Sequence, residues 1–216
     1  MAESNELSVA EIIHGFFKTL ENDEEYELLN EASLQNELAF YLKQNYKKRF
    51  KKVQLERNVR TLGAEANGKK FIKKEMDIYL LTAGDKEILI ELKFPPGKSY
   101  ERRVFHTYKD VLFGEQLIDH LDFEEAYALF ICPEGNGKKY KEHFGCKKGT
   151  EEFAFEQETL QKNKYWIGAK SKKRKELVLQ RKQNATWQKL NVHNATPDDK
   201  KEQAHTYDYF VVPITP

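Results

Sequence analysis

Two acids and a lysine interrupt an apolar stretch of the chain, EMDIYLLTAGDKEILIELKF at positions 75–94. Asp77 lies in its first apolar run, and Glu91 and Lys93 lie in its second. A buried carboxylate without a partner is costly, so these side chains need a counter-charge. Carboxylates beside a lysine suit metal-assisted hydrolysis, in which a divalent cation activates water next to a phosphate. The alternative is a structural salt bridge with Lys93 between the two acids, which leaves one excess negative charge in an apolar sheet.

The two apolar runs are predicted to form a hairpin around Gly84, a residue suited to a turn with positive φ. A hairpin centred there places Asp77 opposite Glu91, with Cβ atoms about 4.5–5.5 Å apart. Two carboxylates at that separation repel each other, and a divalent cation removes the penalty. Since side chains alternate along a strand, Lys93 shares a face with Glu91. The sequence therefore predicts a magnesium or manganese site.

Residue periodicity predicts the elements that must position this hairpin. We expect helices over 8–20, 31–46 and 101–121, and strands over 53–61, 71–81, 86–94 and 125–132. Three regions follow: an acidic N-terminal helical extension (1–28), a core (29–133) and a basic C-terminal elaboration packed on the core (134–216). Further strands are predicted in KELVLQ, TWQKLNVH and HTYDYFVVPI.

Composition favours a packed intracellular protein. The 216 residues are 39% hydrophobic and 12% aromatic, which supports a core. The polar, acidic start does not resemble a signal peptide, and no apolar run approaches the roughly 20 residues of a membrane span. The two cysteines form neither a zinc pattern nor a disulfide framework. We expect a soluble cytoplasmic protein without a membrane partner.

The charges are unevenly distributed along the chain. Residues 1–40 contain ten acids and one base, and the remainder is correspondingly basic. Bases cluster at 47–52, 138–148 and 170–175. Such clusters suit a phosphate backbone, although a solvated surface is the alternative. The residues predicted to bind nucleic acid are Lys47, Lys48, Arg49, Lys172, Lys173 and Arg174.

Asp77, thirteen intervening residues and then Glu91-Leu92-Lys93 resemble the PD-(D/E)XK signature of restriction endonuclease-like nucleases. The order predicted over 31–132 is similar to the core of that family: a helix, a three-strand antiparallel meander, a helix and a strand. The expected fold is thus an α/β restriction endonuclease-like core with a β-containing C-terminal elaboration. One departure is Met76, which stands where the signature has proline.

The resemblance implies a Mg²⁺-dependent phosphodiesterase in which Mn²⁺ substitutes for Mg²⁺. Asp77 and Glu91 would bind the metal, with the Leu92 carbonyl as a further ligand. Lys93 would orient or activate the attacking water and stabilise charge on the phosphate. These enzymes often take a third acid from the first core helix, and Glu37 is the candidate.

Helical spacing supports Glu37, since it places this residue with Leu34, Leu38 and Tyr41 on the face expected to pack against the sheet. A glutamate at the helix edge, paired with a nearby lysine, is the alternative. Gln116 resembles a glutamine motif of exonuclease-like branches and is a candidate further site residue.

The predicted function is therefore a deoxyribonuclease, an endonuclease of restriction, phage-defence or branched-DNA type. The alternatives are an exonuclease or repair nuclease, and a non-catalytic nucleic-acid-binding protein that retains the fold. DNA is favoured over RNA as the partner. The resemblance also implies a possible homodimer, since dimerisation is common in this family because two sites must cut two strands.

Overall fold

The computed structural model describes residues 7–23, 30–63, 70–94, 100–146, 149–156, 177–194 and 203–216. The described helices are α1 (Val9–Glu21), α2 (Glu31–Asn45), α3 (Tyr100–Leu121) and α4 (Glu134–His143). The described strands are β1 (Phe50–Asn58), β2 (Glu75–Thr82), β3 (Glu87–Lys93), β4 (Glu125–Pro133), β5 (Glu152–Phe155), β6 (Gln183–Thr186), β7 (Gln188–Asn194) and β8 (Gln203–Ile214). A short 3₁₀ helix at Val59–Leu62 follows β1.

Side-chain caps fix the starts of the first two helices. Ser8 caps α1: its Oγ accepts from the Glu11 N–H at 3.2 Å, and the Glu11 carboxylate accepts from the Ser8 N–H at 2.6 Å. Asn30 caps α2 by accepting from the Ser33 N–H at 3.0 Å. Glu31 consequently occupies the first turn of α2, where the helix dipole favours a carboxylate. None of the described helices is long and apolar enough to cross a membrane.

The central sheet has six strands in the order β1-β2-β3-β4-β8-β7. Strands β3 and β4 are parallel, with α3 as their crossover, and the other neighbours are antiparallel. Strands β5 and β6 form a separate pair. The helix, three strands, helix and strand expected over 31–132 are present as α2, β1, β2, β3, α3 and β4, which confirms an α/β class. The more specific assignment to a nuclease core stays a prediction.

Two apolar cores cover the two faces of the sheet. Helices α1 and α2 pack on one face, and α3, α4 and the β5–β6 pair pack on the other. Helix α1, predicted to be an extension, shares the first core: the Phe17 ring lies 4.4 Å from the ring of Tyr209 in β8. Strands β7 and β8 complete the central sheet, so this part of the predicted elaboration is continuous with the core.

The second core is rich in aromatic side chains and closely packed. Trp187 is 3% exposed among phenylalanine rings, and its indole N–H donates to Cys146 Sγ at 3.2 Å. Helix α3 approaches the sheet most closely at Gly114. A Cβ atom on this glycine would lie 2.7 Å from Ile214 Cδ1 and 2.9 Å from Ala126 Cβ. The absence of a side chain at Gly114 therefore allows α3 to lie close to β4 and β8.

The β2–β3 hairpin has the predicted register. Ile78 pairs with Ile90, and the pairs continue to Leu81 and Glu87. The turn differs from expectation, because the residue with positive φ is Asp85 (φ 64°) and not Gly84. Aspartate tolerates this left-handed conformation better than most residues.

Candidate active site

Asp77 and Glu91 meet where strands β2 and β3 separate. Ile78 and Ile90 are the last regular pair at this end, so the two acids come next in the register, as predicted. Beyond that pair, the Asp77 N–H donates to Glu91 Oε1 at 3.4 Å, and the Leu92 N–H donates to Asp77 Oδ2 at 2.8 Å. The carboxylates thus satisfy backbone donors that the strand pairing leaves open.

A second lysine, Lys73, lies at the centre of the acidic groups. This residue precedes β2, and its ammonium group is hydrogen-bonded to Glu91 Oε2. The same nitrogen lies 2.9 Å from Oδ1 of Asp110 on α3 and 4.0 Å from Asp77 Oδ1. Three carboxylates from two strands and a helix therefore surround a single ammonium group.

Lys93, the lysine of the predicted motif, borders the same group of acids. Its Nζ lies 3.4 Å from Asp110 Oδ2 and 3.7 Å from Asp77 Oδ2. A third acid, Glu31, is 3.3 Å away through Oε1. Lys93 also donates to the carbonyl of Leu92, the predicted backbone metal ligand. The structure thus brings together the three predicted residues Asp77, Glu91 and Lys93.

Glu31, at the start of α2, is the acid by which this helix reaches the cluster. Besides contacting Lys93, it accepts from the Phe94 N–H at 2.9 Å through Oε2. Glu37 does not take this place: it is exposed and lines a separate surface cleft. The expectation for Glu37 was wrong: Leu34 and Leu38 of the predicted face are buried, but the inward face continues through Gln35 and leaves Glu37 outside it. Gln35 donates to the Asp77 carbonyl at 2.5 Å.

The cluster combines deep burial with excess negative charge. It contains four carboxylates and two ammonium groups: those of Glu31, Asp77, Glu91, Asp110, Lys73 and Lys93. If all of them were ionised, the formal charge would be −2. Glu91 is 1% exposed and Asp110 is 3% exposed. Such groups need either a proton or a further cation.

Burial and neighbouring charges shift the pKa values of the cluster. Burial, followed by the repulsion from Asp77, holds the pKa of Glu91 well above its usual range despite the attraction of Lys73. Burial would lower the pKa of Lys73 and of Lys93. The surrounding carboxylates, with Asp110 the strongest, outweigh it and raise the pKa of both lysines. Both therefore remain protonated at neutral pH.

Gln116 lies next to the segment that carries Lys73. Its side-chain Oε1 accepts from the Ile72 N–H at 2.9 Å. Gln116 therefore anchors the backbone one residue before the central lysine. This position gives the predicted site residue an indirect, positioning contact with the cluster.

The predicted nucleic-acid-binding residues that the structure describes do not border the cluster. Lys47, Lys48 and Arg49 form the turn before β1, whose first residue pairs with Thr82 at the other end of the hairpin. Thr82 and Asp77 are five positions apart along β2, or roughly 17 Å at about 3.3 Å per residue. Lys172, Lys173 and Arg174 lie outside the described residues.

The carboxylates are the type of ligand that Mg²⁺ and Mn²⁺ prefer, and their excess negative charge fits a divalent cation. The described residues nevertheless contain no group of three or more His, Cys, Asp or Glu side chains arranged to hold a metal ion. The Lys73 ammonium group stands at the point where the three inner carboxylates converge. The carboxylates thus suit the expected divalent ion, but the Lys73 ammonium group occupies the point where they converge.

Sequence reasoning missed Lys73, Asp110 and Glu31, although two of them left a signal. Asp110 precedes Phe113 by three residues and Leu117 by seven, a helical spacing that places a carboxylate on an apolar face of α3. Lys73 precedes Asp77 by four residues within the predicted strand 71–81, where alternation places both side chains on one face, although the observed strand begins only at Glu75. Glu31 follows an acidic stretch of the sequence, and nothing in its spacing distinguishes it from the neighbouring acids.

No family model matches this chain, and neither the curated proteins nor the solved structures include a significant match. Function is therefore inferred from the residues of the cluster and their geometry.

Proposed function

We propose that this protein is a metal-dependent nuclease that hydrolyses phosphodiester bonds in DNA, and that it acts as an endonuclease. The observation that carries the proposal is the convergence of Asp77, Glu91 and Lys93, on paired strands, with two further acids in one cluster. A surplus of buried carboxylates costs stability and is found most often where function requires it.

The proposed roles follow from burial and protonation. Asp77, Glu91 and Asp110 would hold Mg²⁺, with the Leu92 carbonyl as a further ligand. When bound, the ion would supply Lewis-acid polarisation of a phosphoryl oxygen and a more acidic water. Because its pKa is raised, Lys93 keeps its proton and suits stabilisation of negative charge on the phosphate better than removal of a proton from water.

DNA would approach over basic side chains of the protein that flank the cluster. Arg60 is exposed in the 3₁₀ turn, whose first residue, Val59, donates its N–H to the Lys74 carbonyl at 2.9 Å. Lys70 is exposed in the segment that leads to Lys73, and Arg102 is exposed on α3, two turns before Asp110. Exposed arginine and lysine side chains bind the phosphate backbone without reading base sequence.

A second candidate is a nucleic-acid-binding protein without catalysis. The observation that favours it is the ammonium group of Lys73, which already neutralises part of the carboxylate charge. Strong DNA binding without metal-dependent cleavage would select this alternative.

The test is incubation of supercoiled plasmid with the wild type, Lys93→Ala and Lys86→Ala, in Mg²⁺, in Mn²⁺ and in EDTA. Lys86 is a matched control because its side chain is 62% exposed in the turn at the other end of the same hairpin. We expect nicking or linearisation by the wild type and Lys86→Ala, with loss of activity in EDTA and in Lys93→Ala.

Equal cleavage by Lys93→Ala would contradict the assignment of Lys93. Cleavage of linear but not of circular DNA would indicate an exonuclease. A homodimer remains a prediction, and sedimentation in the presence of a DNA duplex tests it.

A further inference from the structure

The three inner carboxylates each direct one oxygen at Lys73. The ammonium nitrogen is hydrogen-bonded to Glu91 Oε2, lies 2.9 Å from Asp110 Oδ1, and lies 4.0 Å from Asp77 Oδ1. These oxygens come from two strands and α3, so no single element creates their convergence. The centre of the cluster is therefore a cation position with one occupant, the side chain of Lys73.

The other oxygen of each carboxylate faces a different group. Glu91 Oε1 accepts from the Asp77 N–H, and Asp77 Oδ2 accepts from the Leu92 N–H. Asp110 Oδ2 has no hydrogen-bond partner among the described residues, although it lies 3.4 Å from Lys93 Nζ. These contacts restrain the carboxylates, so their inner oxygens would remain directed at the centre if Lys73 moved away.

We infer that Lys73 is a displaceable occupant of the divalent-cation position, and that the metal ion and the lysine ammonium compete for the same three oxygens. This inference rests on the metal dependence in the proposed function. Mg²⁺ requires oxygens at about 2.0–2.1 Å, closer than an ammonium group needs, so the ion cannot share this position with Lys73. Two cations on one set of oxygens would also repel each other strongly in so buried a place.

The side chain of Lys73 can leave without rearrangement of the sheet. Lysine carries its charge on a flexible four-carbon stem, and 17% of this side chain is exposed. The backbone beside it is anchored separately, since the Ile72 N–H donates to Gln116 at 2.9 Å. Displacement thus requires rotation of one side chain towards solvent. In the absence of metal, the lysine keeps the buried acids compensated and the cation position closed.

The experiment is titration of metal-free protein with Mn²⁺, followed by the electron paramagnetic resonance of the free ion, for the wild type, Lys73→Met and Lys74→Met. Lys74 is the matched control, an exposed lysine at the next position. We expect Lys73→Met to bind Mn²⁺ at least about tenfold more tightly than the wild type, because the competition is removed. Lys74→Met should bind as the wild type does.

The outcomes separate this inference from the proposed nuclease activity. If Lys73→Met binds Mn²⁺ no more tightly than a wild type that cleaves DNA, competition by Lys73 is refuted and the nuclease stands. Tighter binding by Lys73→Met, with no cleavage of any DNA by the wild type, supports the inference and refutes the activity. Absence of Mn²⁺ binding in all three proteins overturns both.

A second measurement uses the wild type alone, in case Lys73→Met does not fold. Acylation by an amine-reactive reagent, followed by peptide mass spectrometry, compares Lys73 with Lys74. We expect saturating Mn²⁺ to accelerate acylation of Lys73 several-fold, because its ammonium group moves from the carboxylates to solvent, and to leave Lys74 unchanged. An unaltered rate at Lys73 in protein with bound Mn²⁺ would show that the lysine stays in place.

Discussion

Replacement of Glu31 by alanine should weaken both the fold and the positioning of Lys93. The Glu31 carboxylate accepts from the Phe94 N–H at 2.9 Å and lies 3.3 Å from Lys93 Nζ. A hydrogen bond to a charged group is worth about 1.5–3 kcal/mol, and an exposed ion pair at most about 1 kcal/mol. Since the Glu31 side chain is 39% exposed, solvent screens both contacts. We therefore expect a loss of about 2 kcal/mol in the free energy of unfolding.

Differential scanning calorimetry measures this loss, and Glu37→Ala is the matched control on the same helix. For a chain of this length, a loss of about 2 kcal/mol lowers the Tm by about 4–8 °C. Glu37 is exposed, so Glu37→Ala should change stability by less than about 0.5 kcal/mol. In the plasmid assay we expect reduced cleavage by Glu31→Ala and unchanged cleavage by Glu37→Ala.

The conservative variant Glu31→Gln separates charge from hydrogen bonding. The amide oxygen can still accept from the Phe94 N–H, so most of the stability should return, while the ionic contact with Lys93 is lost. A Glu37→Ala protein that is less stable or less active than Glu31→Ala would refute this account. That result would restore Glu37 as the helix acid of the site.

Three further predictions concern packing, pH and thiol reactivity. Gly114→Ala should cost about 2 kcal/mol in chemical denaturation, because its Cβ would lie 2.9 Å from Ala126 Cβ, whereas Gly135→Ala on α4 has open space and should not destabilise. Because the pKa of Glu91 is raised, the folded protein holds the proton of this carboxyl group more tightly than the unfolded chain does. The resulting stabilisation is lost as the pH rises above the ordinary pKa of 4.5. The Tm of Glu91→Gln relative to the wild type should consequently increase with pH in EDTA; a constant difference would refute the shift. Burial raises the pKa of Cys146 to about 11. At pH 8 its alkylation should be roughly a hundredfold slower than that of an exposed thiol, and unfolding in guanidinium should abolish the difference.

Local sequence patterns identified the hairpin and its acids correctly. The alternation of apolar residues around the turn determines the register, which follows from Ile78 opposite Ile90. A one-residue slip would have moved every buried side chain to the other face. For that reason the proximity of Asp77 and Glu91 was predictable from the sequence. The turn conformation was not, because both Gly84 and Asp85 are compatible with it.

Contacts between distant elements explain what the sequence did not reveal. Asp110 and Lys73 are 37 positions apart, and their contact depends on how α3 crosses the sheet. Periodicity gives the buried face of a helix but not its crossing angle or its height along the strands. The expectation for Glu37 failed for a related reason. The inward stripe of α2 depends on how the helix is rotated against the sheet, and that rotation is set by tertiary packing.

The position of β8 has a consequence for synthesis of the chain on the ribosome. This strand is the last described element, yet it lies inside the sheet between β4 and β7. One edge of strand β4 therefore stays unpaired while about 70 further residues are translated at roughly 5–20 residues per second. Helix α1 waits longer still, because Phe17 packs against Tyr209 of β8. The nascent chain thus exposes an apolar helix and an open strand edge for several seconds, and binding of a chaperone during that interval would protect it from aggregation.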